Sequence, residues 1–276
     1  MPSNHHITTD EPGSGPSSRS EDYRHSKEDV LSRRAFVQLL DGARTLDSPY
    51  DFEARLCVYL AGKLGLRAGE IAHVETDWID WHDNMIRIPE HEPCSKGSDG
   101  GICGYCRSRA EDRLLANNLT VTEAVAEIRS EFDADLDDDV LIEMALDRRD
   151  EVNMTYDAAL AERWNPKTEN SVRAIPFDFD IRAQMCIEEF ADRYDGFPRS
   201  RATVNRRINR AADAAGIEER VYPHALRATS ASFHASRDVS PYSLMSIMGW
   251  NDIQTARSYI RASDETAAKE IRSKHR

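Results

Sequence analysis

Apolar side chains recur at helical spacing in the first part of the chain. The first such pattern predicts a helix from about Ser26 to Arg44. Its apolar face carries Ala35, Phe36, Leu39 and Leu40. A second helix is expected to follow, with Ser48 as its N-cap, Pro49 in its first turn and Gly65 at its end. Two successive helices are therefore predicted before residue 66.

The middle of the chain predicts short strands among helices. A short helix is expected to begin at Arg67 and to lead to a strand at residues 85–89. The stretch RWNPKTENSVRAIPF, residues 163–177, predicts a β-hairpin, because a turn rich in Pro, Asn and Ser precedes the strand VRAIPF. Helices are then predicted at residues 180–194 and 200–216 and onward to the end.

Two segments stand apart from this pattern. Residues 1–28 are rich in Ser, Pro, Gly and charge, which predicts a disordered tail before a domain at 29–276. Residues 91–160 interrupt the strand pattern and carry two amphipathic helices, at about 119–132 and 136–152. The acidic turn between them lacks the Gly and closing Glu of an EF-hand, so we interpret it as solvated charge. Both a partner interface and a stabilising flap remain open for this insertion.

The insertion opens with HEPCSKGSDGGICGYC, which has the spacing of a metal site. His91 and Cys94 form a His-x-x-Cys pair, and Cys103 and Cys106 form a Cys-x-x-Cys pair. Three thiolates and an imidazole are typical of a closed, structural zinc site. His91 is the weakest member of the set. Three unrelated reduced thiols and an iron–sulfur centre are the alternatives.

The remaining cysteines, Cys57 and Cys186, lie in apolar periodic segments and are interpreted as core residues. This cysteine pattern does not favour disulfides and indicates a reducing compartment. The sequence shows no secretory leader and no apolar run of membrane-spanning length, so a soluble, cytoplasmic protein is expected.

Charge argues against an ordinary DNA-binding protein. Asp and Glu outnumber Lys and Arg by 49 to 36, which gives a formal net charge of −13, whereas DNA-binding domains are usually basic. Only six of the basic residues are Lys. This acidic, Lys-poor composition resembles that of halophilic cytoplasmic proteins, and we expect a halophilic archaeon or its virus as the source. Molar salt would screen the repulsion from DNA if the binding face were rich in Arg.

One predicted helix offers such a face. Residues 200–216 carry the strongest basic run in the chain, formed by Arg201, Arg206, Arg207 and Arg210. A basic helix face is the electrostatic footprint of duplex binding, so contact with DNA phosphates is one interpretation. Solvated helix charges are the other.

The C-terminal stretch concentrates residues suited to phosphate chemistry. His224 and Arg227 are one helical turn apart, so both can face one ligand. Arg binds phosphate through two hydrogen bonds, and His can transfer a proton near neutral pH. Trp250 can donate one hydrogen bond, and Tyr259 carries a hydroxyl that can attack phosphorus. Taken singly, each is more typical of a core or capping residue; as a set they favour a catalytic site.

This stretch closely resembles the C-terminal motif of the tyrosine recombinases, the phage integrase family. The resemblance extends upstream. Gly65, Leu66, Arg67, Glu70 and Ile71 are similar to the family's first arginine motif, and Lys167 lies in the predicted hairpin where the family has its catalytic Lys. Trp250 stands where many members have His, which is a known variant.

The resemblance implies a mainly α fold with a small antiparallel β-sheet, and DNA cleavage and rejoining on double-stranded DNA. Its catalytic set would comprise Arg67, Lys167, His224, Arg227, Trp250 and Tyr259, with Glu70 orienting an arginine. Tyr259 would form a 3′-phosphotyrosine without a catalytic cofactor, within a dimer or tetramer on DNA.

One feature departs from the family. The segment before Arg67 is too short for the separate core-binding domain usual in the family. A type IB topoisomerase and a catalytically idle DNA-binding regulator are the alternative functions.

Overall fold

The computed structural model describes residues 29–90, 94–98, 100–132, 136–161, 172–260, 271–272 and 274–275. The named helices before the insertion are α1 (Arg33–Arg44), α2 (Tyr50–Gly62) and α3 (Ala68–His73). The insertion contributes α4 (Gly104–Asn117), α5 (Val121–Glu131), α6 (Asp138–Val152) and α7 (Tyr156–Ala161). The helices after it are α8 (Ile181–Arg193), α9 (Arg201–Ala214), α10 (Pro223–Ala235), α11 (Pro241–Met248) and α12 (Ile253–Arg257).

The three described strands form one antiparallel sheet. They are β1 (Ile79–Asp80), β2 (Met85–Ile88) and β3 (Arg173–Pro176), in the spatial order β1-β2-β3. The register places Ile86 opposite Ile175, and both side chains are buried. The predicted mainly α fold with a small antiparallel sheet is therefore confirmed. The first strand and the turn of the predicted hairpin lie outside the described residues.

The core surrounds α2, whose side chains are buried on nearly every face. Phe52, Leu56 and Leu60 are each at most 1% exposed, and α2 contacts α1, α8, α9 and α10. Each fully buried apolar side chain of this size stabilises the fold by about 1.5–3 kcal/mol. Cys57 and Cys186 are buried in this core, as predicted, and burial raises the pKa of the Cys186 thiol to about 12.

Two helix starts differ from the prediction by a few residues. α1 begins at Arg33 rather than near Ser26, because the Ser32 hydroxyl accepts a hydrogen bond from the Ala35 amide at 3.1 Å and caps the helix there. The second helix begins at Tyr50, after Pro49 rather than after Ser48.

The insertion forms two helical pairs. The predicted helices are present as α5 and α6, which pack through Ala124, Ile128, Leu141 and Ala145. α4 packs against α7. The side chains of Asn118 and Asn153 cross-link the ends of the α5–α6 unit through hydrogen bonds of 2.8–3.1 Å to the backbone of Met154 and Leu119. The insertion therefore has its own small core beside the main one.

Candidate active site and metal centre

A buried carboxylate organises the candidate active site. Glu70, in the middle of α3, is 0% exposed. Its oxygens accept hydrogen bonds from both terminal nitrogens of Arg173, at 2.8 and 2.9 Å. They also accept from the Arg67 side chain at 2.8 Å and from the Arg67 amide at 2.7 Å. Glu70 therefore fixes two guanidinium groups that come from different parts of the chain.

Three arginines also bind the end of α11. The carbonyls of Ile247, Met248 and Gly249 accept hydrogen bonds from Arg173, Arg227 and Arg67, respectively. The last carbonyls of a helix lack intrahelical partners and carry partial negative charge, so cations are favoured there. Gly249 adopts a left-handed conformation that ends α11 and turns the chain toward Trp250.

Arg227 joins this end of α11 to the loop that follows α2. It projects from α10, is only 3% exposed and donates to the carbonyl of Gly65 as well as to that of Met248. Gly65 has a φ of +71°, and a Cβ there would lie 2.7 Å from the Met248 side chain. The positive φ therefore favours glycine at position 65, and a Cβ there would force the end of the Met248 side chain to move.

The arginine cluster is strongly polarised. Burial and the charges of Arg67 and Arg173 lower the pKa of Arg227. The charges of Glu70 and Tyr259 act in the opposite direction and offset part of this lowering. Burial alone would raise the pKa of the Glu70 carboxyl, but the charge and hydrogen bonds of Arg173 and the charges of Arg67 and Arg227 hold it well below its usual range. Glu70 therefore stays ionised, and the cluster keeps an excess of positive charge suited to an anion.

Tyr259 is positioned by Trp250. Their rings stack at a centroid distance of 5.2 Å with an interplanar angle of 14°. Tyr259 follows α12, and both rings pack on the small apolar cluster that includes Leu244 and Met248. Because Met248 also binds Arg227 through its carbonyl, the tyrosine and the arginine cluster share one support.

His224 and Lys167 are the remaining predicted catalytic residues. His224 lies in the first turn of α10, one turn before Arg227, and is exposed. Lys167 lies outside the described residues. The structure thus brings Arg67, Glu70 and Arg227 together, with Trp250 and Tyr259 on the adjoining cluster.

Arg173 is a member of the site that the sequence reading missed. Its side chain is 3% exposed and lies 103 residues from Glu70 in sequence. The signal was present in the strand pattern: Arg173 and Ile175 alternate as the buried positions of β3. A charged residue at an inward strand position indicates a buried partner.

A second cluster contains the potential metal ligands. His73, Cys94, Cys103 and Cys106 place their ligand atoms within 4.8 Å of one another. His73 Nε2 lies 3.3 Å from the sulfurs of Cys94 and Cys106 and 3.8 Å from that of Cys103. A tetrahedral zinc ion separates such ligand atoms by about 3.5–3.8 Å, which is close to the 3.3–3.8 Å from His73 Nε2 to the three sulfurs.

His73 is a potential ligand that the sequence analysis did not name. His91 lies outside the described residues, and the three predicted cysteines are all present in the cluster. A tetrahedral ion takes four ligands, and His73 completes the set. His73 is therefore a candidate fourth ligand, and His91 as a ligand stays a prediction.

The predicted basic face of α9 requires a correction. Arg207 does not belong to it, because this side chain is buried and donates to Glu53 at 2.5 Å. Glu53 is itself 0% exposed and needs a cationic partner. Arg201, Arg206 and Arg210 are exposed, as the prediction required.

The described residues contain no helix long and apolar enough to cross a membrane.

Comparison with protein families gives one match. Residues 158–266 match the model of the phage integrase family. This segment of the chain is therefore similar to the phage integrase family. The matched segment includes Lys167, His224, Arg227, Trp250 and Tyr259. Arg67 and the metal ligands precede it. No curated protein sequence matches the chain.

Solved structures share the architecture. The Tn1549 transposon integrase in complex with transposon right end DNA matches with a TM-score of 0.53 and 14% identity, over 90% of this chain and 66% of that chain. The same integrase in complex with a circular intermediate DNA matches with a TM-score of 0.51 and 14% identity, over 88% of this chain and 65% of that chain. The fold is that of a tyrosine recombinase catalytic domain. A XerA recombinase matches with a TM-score of 0.40 and 17% identity, over 90% of this chain and 65% of that chain. The chain thus spans about two thirds of the length of these proteins.

Proposed function

We propose that this protein is a tyrosine recombinase that cleaves and rejoins double-stranded DNA through a 3′-phosphotyrosine. One observation carries the proposal: an excess of arginine charge, fixed by Glu70, adjoins the end of α11, and Tyr259 packs on the same helix. Positive charge beside a hydroxyl nucleophile is the arrangement that phosphoryl transfer needs. The family match to residues 158–266 and the fold support the same conclusion.

In this mechanism the arginines act first. Arg67, a quarter of whose side chain is exposed, and Arg227 would bind the scissile phosphate and stabilise the charge on its oxygens. Arg173 would act through Glu70, as a positioning residue. Trp250 would donate to a non-bridging oxygen and hold the Tyr259 ring by stacking.

The covalent step exchanges one phosphate ester for another. The Tyr259 oxygen attacks phosphorus, a new oxygen–phosphorus bond forms, and the bond to the 5′-oxygen breaks. Lys167 would give its proton to the leaving 5′-oxygen, and His224 would assist the transfer of the phenol proton. Since the phosphotyrosine keeps the ester bond, attack by a 5′-hydroxyl restores the DNA backbone without a nucleotide cofactor.

The proposal extends to DNA contacts, assembly on DNA, source and compartment. The exposed Arg201, Arg206 and Arg210 would contact DNA phosphates, and copies of the chain would associate on DNA as dimers or tetramers. The acidic, Lys-poor composition supports a halophilic source, and the free cysteines support the reducing cytoplasm.

A covalent trapping experiment tests the function. Incubation with a nicked suicide duplex in high salt should give a protein–DNA adduct from the wild type and none from Tyr259→Phe. Tyr242→Phe is the matched control, because Tyr242 is 68% exposed on α11 and should leave the adduct unchanged. An adduct from Tyr259→Phe would refute the assignment. A wild-type protein that binds the duplex without forming an adduct would be an idle DNA-binding regulator, and relaxation of supercoils without strand exchange would indicate a topoisomerase.

We further propose that zinc occupies the cluster of His73, Cys94, Cys103 and Cys106. Three thiolates and one imidazole fill a tetrahedral ion and leave no position for chemistry, so the metal is structural. Elemental analysis should find about one zinc per chain, as a closed four-ligand site requires. Replacing Cys103 and Cys106 together with Ser should remove the ion, whereas Cys57→Ser, in the main core, should retain it. A zinc content unaffected by the double substitution would contradict the site.

A further inference from the structure

The short helix α3 carries residues of both clusters. Arg67 is its N-cap, Glu70 lies in its middle, and His73 is its last residue. Six residues of α-helix separate Arg67 from His73 by about 9 Å along the axis. A helix this short is not stable alone and depends on its contacts with the rest of the fold, among them those with α2 and α9. What holds His73 therefore contributes to the position of Arg67, which Glu70 and the Gly249 carbonyl also hold.

His73 is oriented as a metal ligand. Its Nδ1 lies 2.7 Å from the carbonyl of Gly69, which can only accept a hydrogen bond, so Nδ1 carries the proton. This leaves the lone pair of Nε2 facing the three sulfurs. A ligating histidine whose other nitrogen donates to a backbone carbonyl is the usual arrangement at metal centres.

The other three ligands come from the insertion. Cys94 follows β2, Cys103 is the N-cap of α4, and Cys106 lies in the first turn of α4. The Cys103 amide lies 3.5 Å from the Cys94 sulfur, within hydrogen-bonding distance for a thiolate acceptor. An ion in this cluster would therefore join the insertion to α3, with its one non-insertion ligand on the helix that carries Arg67.

Further contacts reinforce the same junction. The ring of Tyr105, in α4, lies against Gly69, where a Cβ would meet it at 3.5–3.6 Å. Lys96, in the loop between the ligands, pairs with Glu75 at 3.5 Å, two residues beyond His73. The Arg201 guanidinium lies 5.1 Å from the centre of the Tyr105 ring, so the junction also contacts α9. These contacts align the insertion on α3, and the ion would lock the alignment.

We propose that the metal ion is a positioning element of the phosphate site: by holding His73 it fixes α3, and through α3 it sets Arg67 and Glu70. The insertion then supports α3 and also provides three of the four ligands of the ion. This inference rests on the proposed function for the role of Arg67, and on the ligand assignment of His73. Metal loss would lower DNA cleavage by displacing Arg67 while the α2 core stays folded.

The first experiment identifies the ligand. The full chain is prepared with Co²⁺ in place of zinc, because thiolate-to-cobalt absorption reports the ligand set directly. His73→Cys should retain the ion with four thiolates and a stronger charge-transfer band, whereas His73→Asn should weaken metal binding by about tenfold or more. His82→Asn is the control, since His82 is exposed and pairs with Asp83 at 2.9 Å. Loss of the ion in His91→Asn but not in His73→Asn would overturn the assignment.

The second experiment measures the coupling to Arg67. Zinc is removed by a chelator and restored, and duplex affinity is measured in the wild type and in Arg67→Ala at one fixed salt concentration. If the ion acts through Arg67, its removal should weaken binding by about tenfold in the wild type and by much less in Arg67→Ala, because the two changes then share one effect. Equal losses in both proteins would overturn the proposal.

Amide hydrogen exchange separates this inference from the proposed function. Zinc removal should speed exchange in α3, residues 68–73, as well as in the insertion. Faster exchange confined to the insertion would refute the positioning role, even if the protein cleaves DNA. Conversely, a zinc-loaded protein that forms no adduct but loses α3 protection on metal removal would refute the proposed function and support the structural coupling.

Discussion

At the scale of single residues, one carboxylate makes the arginine cluster possible. Three guanidinium groups within one small region repel each other, and Arg173 and Arg227 are nearly inaccessible to water. Glu70 offsets part of that charge through hydrogen bonds to Arg67 and Arg173. Glu70 therefore determines whether the candidate site holds its geometry before any ligand binds.

We predict that Glu70→Gln destabilises the protein by about 3–5 kcal/mol, because it leaves buried arginines without their counter-charge. Chemical denaturation measures this as a lower unfolding free energy. Glu131→Gln is the matched control: Glu131 pairs with Arg148 through two hydrogen bonds of 3.0 and 2.9 Å but is exposed, so little change is expected. Equal stability of the two variants would show that the Glu70 charge is not required.

At the scale of elements, α11 connects the nucleophile to the cluster. Its last carbonyls bind three arginines, and the residues after it lead to Trp250 and Tyr259. The loop after α2 approaches the same helix end closely, with Gly65 against Met248. The site is therefore assembled where helix ends meet, and short-range packing between them controls its geometry.

We predict that Gly65→Ala destabilises the protein more than Gly216→Ala does. Both glycines have positive φ, at +71° and +64°, so each substitution costs about 1–2 kcal/mol in backbone conformation. At Gly65 the new Cβ would also lie 2.7 Å from the end of the Met248 side chain, which would have to move. At Gly216 no atom lies within 4 Å of the new Cβ. Thermal unfolding of the two variants gives the comparison, and equal losses would contradict the close approach.

At the scale of the whole molecule, the net charge of −13 opposes both compaction and the approach of DNA. The buried carboxylates Glu53 and Glu70 each accept hydrogen bonds from arginine, so their charges are neutralised inside the fold. The surface is where acidic groups accumulate, and α6 carries several of them in exposed positions. Self-repulsion among these groups depends on ionic strength.

We predict that the urea midpoint of unfolding rises as NaCl is increased from about 0.15 M to above 1 M, where the screening length falls from about 8 Å to about 3 Å. Replacing the exposed Glu143, Asp147 and Asp150 with Gln or Asn should reduce this salt response, because fewer like charges remain to be screened. A midpoint that does not change with salt would show that surface repulsion does not limit stability.

Much of the fold was determined by local sequence. Helix positions follow from apolar spacing and caps, and most boundaries were within a few residues of those predicted. Arg227, Trp250 and Tyr259 became candidates through residue types and spacings near the C-terminus, and Arg67 joined them through the resemblance to the tyrosine recombinases. Their catalytic roles stay a prediction.

Only the tertiary structure decided which residues meet across the chain. Arg173 reaches Glu70 over 103 positions, and His73 joins cysteines 21 to 33 positions away, contacts that no local pattern encodes. Arg207 carries the same charge as its exposed neighbours on α9 but is buried against Glu53. Sequence specifies the chemistry of each side chain, but packing decides which charges meet a partner and which face water, because the cost of burying a charge depends on its neighbours in space.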